Sequence, residues 1–271
     1  MEIDTLFEDI QKIPSVPEIV RELIESLNDP NVNLADLGKK VSKDQVISLK
    51  VLRMVNSPMY GLSQKCNTIE DSVVLLGTAK LKTLVVASGL VGSIDNVDGI
   101  DMREFWLESF RVAGYAKAIA PKINAHADLA FTAGLIHNIG SLLIAMARPK
   151  IAAEIAEYVK SDKPREKVER TLLGFTHADV SAELARRWKF PDELIAAVEG
   201  QLTPLEFEPL SLEAAALHLA THVSAGKVQE TPLPVLEAKM PYKLLENLDF
   251  SMNEEVLAEI LAVDMGLEGM L

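Results

Sequence analysis

Two polar residues stand inside the most apolar stretch of the chain. They are His137 and Asn138, in FTAGLIHNIGSLLIAMA over residues 131–147. An imidazole beside a carboxamide can hold a proton, exchange hydrogen bonds or offer nitrogen and oxygen to a cation. Wound at 3.6 residues per turn, the stretch predicts one helix that is apolar all round and therefore buried all round. Buried polar groups need partners, so other segments must send polar atoms to this pair. A second pattern is His218 and His222, four apart on one predicted helix, a spacing that can chelate zinc. No nearby glutamate or clear third ligand accompanies them. His126 reads as a loop histidine, and Cys66 as a small loop or core residue with no adjacent base to activate it.

The elements that must position these groups are all helical. Period-3.6 apolar patterning recurs along the chain, and no period-2 run has the length of a strand. Near the start, Pro14 and Pro17 separate two short helices, the second with Ile19, Val20, Leu23, Ile24 and Leu27 at helical spacing and a stop at Asn28-Asp29-Pro30. Asn33 is expected to cap residues 34–41. Asp44 opens a helix whose buried stripe is predicted as Val46, Leu49, Leu52 and Val55, ending at Asn56-Ser57-Pro58. Thr68 with Asp71 forms a capping box ahead of a helix ending at Leu76-Gly77, and Thr78 starts another. Residues 92–99 are turn-rich and mark the internal boundary. Further on, Gly174 is a C-cap and Thr176 with Asp179 a capping box. Ser211 caps residues 212–225, a proline-rich linker holds Pro232, Pro234 and Pro241, and Ser251 with Glu254 caps a last helix through Val263.

Composition narrows the function. The chain has 271 residues, 48% of them hydrophobic, and a formal net charge of −13. That size suits one large domain or two modest ones. An acidic chain repels phosphate backbones, which disfavours a nucleic-acid surface; the basic cluster Arg186, Arg187 and Lys189 reads as a solvated helix end. A helix-turn-helix reading of the N-terminal helix pairs meets the same objection. A single cysteine allows no internal disulfide and fits a reducing compartment. The acidic, amphipathic start is not a signal peptide, and the apolar run at residues 84–91 is too short to span a bilayer. The expectation is a cytoplasmic protein with no membrane partner.

The stretch GLIHNIG resembles GLLHDIG, the signature of the HD superfamily of metal-dependent phosphohydrolases, with Asn138 in the aspartate's place. Over residues 13–45, 51–61 and 69–77 the chain also resembles the HDOD, or HD-related output, domain. Pro14 and Pro17, the Asn28-Asp29-Pro30 turn, Asn56-Ser57 and VVLLG at 73–77 follow in that family's order. Asp44-Gln45 departs from the usual Asp-Pro. The resemblance covers residues 10–208 and implies an all-α, multi-helical bundle. In it an N-terminal lobe, to about residue 98, packs on an HD-like core, and residues 209–271 complete or pack on that core.

The resemblance also implies where metal ligands would stand. Glu108 occupies the place of the first histidine, two positions after Trp106. His137 and Asn138 replace the His-Asp pair, and Thr221 in HLAT replaces the last aspartate. Gly200-Gln201 stands where some members carry a His-His pair, and His177 where HDOD sequences usually carry a histidine; as a residue it reads as a buried hydrogen-bonding group that ties its helix to the His137 region. Hard cations in such centres require carboxylates, and two are missing. The resemblance therefore implies no catalytic residue, metal or cofactor. It implies a module that binds a protein partner in bacterial signal transduction. The alternatives are a phosphohydrolase with an altered ligand set (Glu108, His137, Asn138, His177) and a nucleotide or nucleic-acid binder. Glu108, His137, Asn138, His177 and Thr221 are expected to converge, either as a self-satisfied polar network or as a ligand pocket.

Overall fold

Helix ends leave backbone donors and acceptors without intrahelical partners, and the side chains that replace them set the element boundaries here. The structure, a computed structural model, describes residues 2–10, 38–39, 41–56, 65–91, 94 and 96–263. The helix predicted over 19–27, its Asn28-Asp29-Pro30 stop and the Asn33 cap lie outside the described residues. Among the described residues the regular elements are helices, with no strand, and the architecture is the all-α bundle expected.

The N-terminal part of the chain contains α1 (Ile3–Asp9), which packs on the later helix Ile139–Ala147, and α2 (Gln45–Val55) and α3 (Ile69–Val91), which pack on each other. The Asp44 carboxylate accepts the Ile47 amide at 3.0 Å and starts α2. The buried face of α2 is Ile47, Val51 and Val55; of the predicted stripe Val55 is buried and Leu52 packs against the core, Leu49 is 61% exposed, and the Val46 side chain lies outside the described residues. Asn56 ends α2 and clamps Cys66: its side chain accepts the Cys66 amide and donates to the Cys66 carbonyl, both at 2.7 Å. Thr68 Oγ1 then accepts the Asp71 amide. Gly77, at φ 76°, interrupts α3 where the sequence places a helix end, in a conformation costly for any side chain.

The core contains α4 (Met102–Ile119), α5 (Ala127–Ile136), α6 (Ile139–Ala147), α7 (Pro149–Lys160), α8 (Arg165–Leu172), α9 (His177–Arg187), α10 (Asp192–Glu199) and α11 (Leu212–Val228). Helix α4 packs on α5 and α11, α6 on α9 and α7, and α3 joins the lobe to α5. Tyr115, Phe131, Leu135, Ile136, Ile139, Leu142 and Leu143 are fully buried. The capping box is present, with Thr176 Oγ1 accepting the Asp179 amide and Asp179 Oδ2 accepting the Thr176 amide. Ser211 caps α11 through the Ala214 amide.

Three expectations change. The stretch at 131–147 is two helices, α5 and α6, that meet at His137 and Asn138, rather than one. Counted together, Ala127–Ala147 is long and apolar enough to cross a membrane, but 83% of its most apolar window is buried inside the protein, as in a core helix. The proline-rich linker is structured: Pro232 and Pro241 precede α12 (Leu233–Lys239) and α13 (Tyr242–Asn247). The cap of α14 (Glu254–Leu261) is Asn253, through the Val256 amide, and not Ser251. Helices α12 and α14 pack together, and α14 reaches α4 and α11.

Candidate functional site

The GLIHNIG segment is shaped by contact. At Gly134 an added Cβ would lie 2.4 Å from Ala113 Cα, so the glycine lets α5 press onto α4. At Gly140 it would lie 2.1 Å from the His177 carbonyl oxygen and 2.8 Å from the Ser181 amide nitrogen, so α6 touches the backbone of α9. Between them Asn138, at φ −108° and ψ 7°, leaves the helical region and breaks the stretch in two.

His137 is 5% exposed. Its Nδ1 lies 2.7 Å from the Gly134 carbonyl, an acceptor, so Nδ1 carries the proton. Its own carbonyl, released by the break, accepts from Ser181 Oγ and Gln201 Nε2, both at 3.0 Å. Burial pushes the imidazole down to about 4; the Gly134 bond opposes this, and the positive charges of His177 and Arg165 add to it. Neutral imidazole is therefore its state at pH 7.

His177 pairs with a residue that sequence reasoning missed. Glu169, fully buried on α8, accepts His177 Nδ1 at 2.7 Å, the His177 amide at 2.9 Å and Arg165 Nε at 2.7 Å. Burial alone would raise its pKa. The bond from His177, with the charges of His177 and Arg165, outweighs burial and holds it at about 2. Arg165 continues the network: Nη2 donates to Ser141 Oγ at 2.6 Å, and Ser141 Oγ donates to Asn138 Oδ1. The side chains of His137 and Asn138 are thus satisfied locally, by Gly134 and Ser141, and other segments send polar atoms only to the His137 carbonyl, from Ser181 and Gln201.

Gln201 extends the arrangement to α11, its carbonyl accepting His218 Nδ1 at 2.7 Å. Burial, then the neighbouring His222, lowers the His218 pKa to about 4, against the Gln201 bond. Gln201 Oε1 is buried without a hydrogen-bond partner among the described residues. Thr221 donates its hydroxyl to the His218 carbonyl at 2.7 Å. Glu108 lies exposed on α4, whereas His137 and His177 are buried.

An HD-type dinuclear centre needs carboxylates and imidazoles converging on two cations. The donor set here does not fit one. Glu108 faces solvent, the Asn138 carbonyl oxygen is occupied by Ser141, and the Thr221 hydroxyl is committed to its own helix. Among the described residues no group of three His, Cys, Asp or Glu side chains is placed to hold a metal ion. Beside Asn138, Ser141 and Arg165 opens a largely apolar groove of about 470 Å³, walled by Ile100, Phe105 and Ile155.

The basic cluster is not simply solvated. Arg186 pairs with Glu199 and Glu183, and Arg187 with Glu183 and Asp4 while lying over the Phe7 ring. Its charge serves to join α9 to α1 and α10.

This helical scaffold, with its interrupted apolar stretch, defines an HD-type fold, and the family follows directly. Residues 13–204 match the HDOD domain family, to which the chain belongs. A Shewanella amazonensis SB2B structure, named as a candidate phosphohydrolase, is 32% identical, covers 97% of this chain and 96% of its own, and superposes with a TM-score of 0.81. A Geobacter sulfurreducens HDOD domain protein of unknown function shares 22% identity over 99% of this chain and 97% of its own, TM-score 0.81. A Marinobacter aquaeolei VT8 structure, named as a candidate signal transduction protein, shares 22% identity over 98% of this chain and 60% of its own, TM-score 0.74. An uncharacterized Treponema pallidum (strain Nichols) protein is 24% identical over 232 residues, 83% of this chain; the chain spans 45% of that relative's length.

Proposed function

We propose that this chain is a non-catalytic HDOD module that works by binding a partner protein in a bacterial, cytoplasmic signalling pathway. The observation that carries the reading is the internal commitment of the polar groups around His137. Asn138, Ser141, Arg165, Glu169 and His177 bond to one another instead of presenting a set of hard donors. The scaffold is kept while the chemistry that hydrolysis needs is not assembled. The net charge of −13 supports a protein partner over a nucleic acid.

The test is purified protein supplied with manganese or iron and offered phosphomonoesters and phosphodiesters. No turnover above a folded His137→Ala control is expected, and a partner captured by the wild type is captured equally by that variant. Turnover that His137→Ala abolishes would overturn the reading. It would favour the second one, an altered-ligand phosphohydrolase, for which the name of the Shewanella relative speaks.

A further inference from the structure

The second histidine pair of the sequence plays no part in the proposed function. His218 and His222 lie one turn apart on α11, with ring centroids 4.6 Å apart and planes tilted by 52°. Each ring is anchored through the same nitrogen. His218 Nδ1 lies 2.7 Å from the Gln201 carbonyl and His222 Nδ1 lies 2.9 Å from the His218 carbonyl. A carbonyl only accepts, so both Nδ1 atoms carry a proton, and in each ring Nε2 is the nitrogen left for a cation. This arrangement, one ring nitrogen donating to a carbonyl while the other is left as a base, is how proteins orient histidines that bind metals.

The pair is also accessible. Both residues are partly exposed, and His218 lines an open cavity of about 340 Å³ together with Glu206, Thr203, Pro241 and Tyr242. That cavity gives a cation and its waters a way to His218, and His222 is partly exposed one turn further on. Two neutral imidazoles select borderline ions over magnesium or calcium, which prefer oxygen.

We propose that His218 and His222 form a two-imidazole site for a single borderline divalent cation such as zinc, nickel or copper, with water completing its coordination. The site differs from the HD-type positions: it uses neither His137, Asn138 nor Thr221, and it holds one ion and not two. It is independent of whether the chain hydrolyses anything.

The experiment is calorimetric titration of the full, untagged chain with zinc chloride alone, with copper(II) electron paramagnetic resonance as a second readout. One equivalent is expected, with hyperfine structure from two nitrogens. His222→Gln should weaken zinc at least tenfold while leaving the apo melting temperature within a few degrees, and His218→Gln should do the same. His137→Ala should leave zinc binding intact. Absence of uptake by the wild type, or uptake unchanged in His222→Gln, would overturn the proposal. So would loss of uptake in a folded His137→Ala, which would point back to the HD-type positions and count against the non-catalytic reading instead.

Discussion

A single oxygen of Glu169, Oε2, accepts both the side-chain Nδ1 and the backbone amide of His177, at 2.7 and 2.9 Å. The carboxylate thus fixes the first residue of α9 in position and in ring orientation at once, while Oε1 takes Arg165. Glu169→Ala leaves the buried ring and amide of His177 without their acceptor, and Arg165, whose side chain is 37% exposed, without its ion pair. We expect a loss of about 3–5 kcal/mol in urea denaturation, as for one broken partner of a buried pair. A loss below about 1 kcal/mol would mean that water replaces the carboxylate freely.

The same carboxylate sets an acid limb. Its folded pKa, about 2, lies below the ordinary glutamate value of 4.5, so the unfolded chain takes up the proton first. Its contribution is complete above about pH 4.5 and is lost as pH falls towards 2. Denaturant midpoints between pH 5 and 2 should fall steeply in the wild type and less steeply in Glu169→Gln.

His137 acts in a higher window with the same sign. Its folded pKa of about 4 lies below the ordinary histidine value of 6.5. Above 6.5 both states are neutral; between 6.5 and 4 only the unfolded chain binds the proton, and stability drains away by on the order of 3 kcal/mol. His137→Gln should flatten the midpoint-against-pH curve between 6.5 and 4. An equally steep curve in that variant would assign the slope to other groups, His218 first among them.

Gly140 has no room for a methyl group, because a Cβ would meet the His177 carbonyl and the Ser181 amide. Gly140→Ala must push α6 from α9 and stretch the bond from the Gly140 amide to Ser181 Oγ, now 2.8 Å. Overpacking of this kind costs about 1–3 kcal/mol, more where backbone is the obstacle. Thermal denaturation should place the variant well below the wild type; an unchanged midpoint would show that the two helices are not held in contact.

Several helix boundaries were legible from local devices, although the cap of α14 is Asn253 and not the expected Ser251. Thr176, Ser211, Gly77 and Gly174 are local devices, and each stands where the sequence put it. The break at Asn138 was not legible, since apolar periodicity is continuous across it and the cause is close packing against α9. Glu169 was hidden for a related reason. In a helix reading REKVERTL it looks like one more solvated charge, and only the fold brings His177 to it. Glu108 failed in the opposite sense: its place in the motif was readable, but its outward direction on α4 was not. The α2 face was ambiguous because i+3 and i+4 readings select different residues, and packing on α3 chose Ile47, Val51 and Val55.

Asn138→Asp restores the residue of the GLLHDIG pattern and tests how much of the lost chemistry depends on that one change. The new carboxylate would still accept from Ser141 Oγ, and it would join the Arg165 guanidinium through that hydroxyl. Asn138 is only partly buried, so the added charge is solvated as well as paired, and stability should shift by no more than about 1 kcal/mol. A dinuclear centre would still lack a carboxylate at Thr221 and a buried ligand at Glu108. The variant should therefore gain no manganese or iron and no phosphoesterase activity, as read by elemental mass spectrometry and a phosphoester panel. Two tightly held equivalents in Asn138→Asp would mean that Glu108 turns inward when a cation is offered, and that a single substitution separates this chain from a metal-dependent hydrolase.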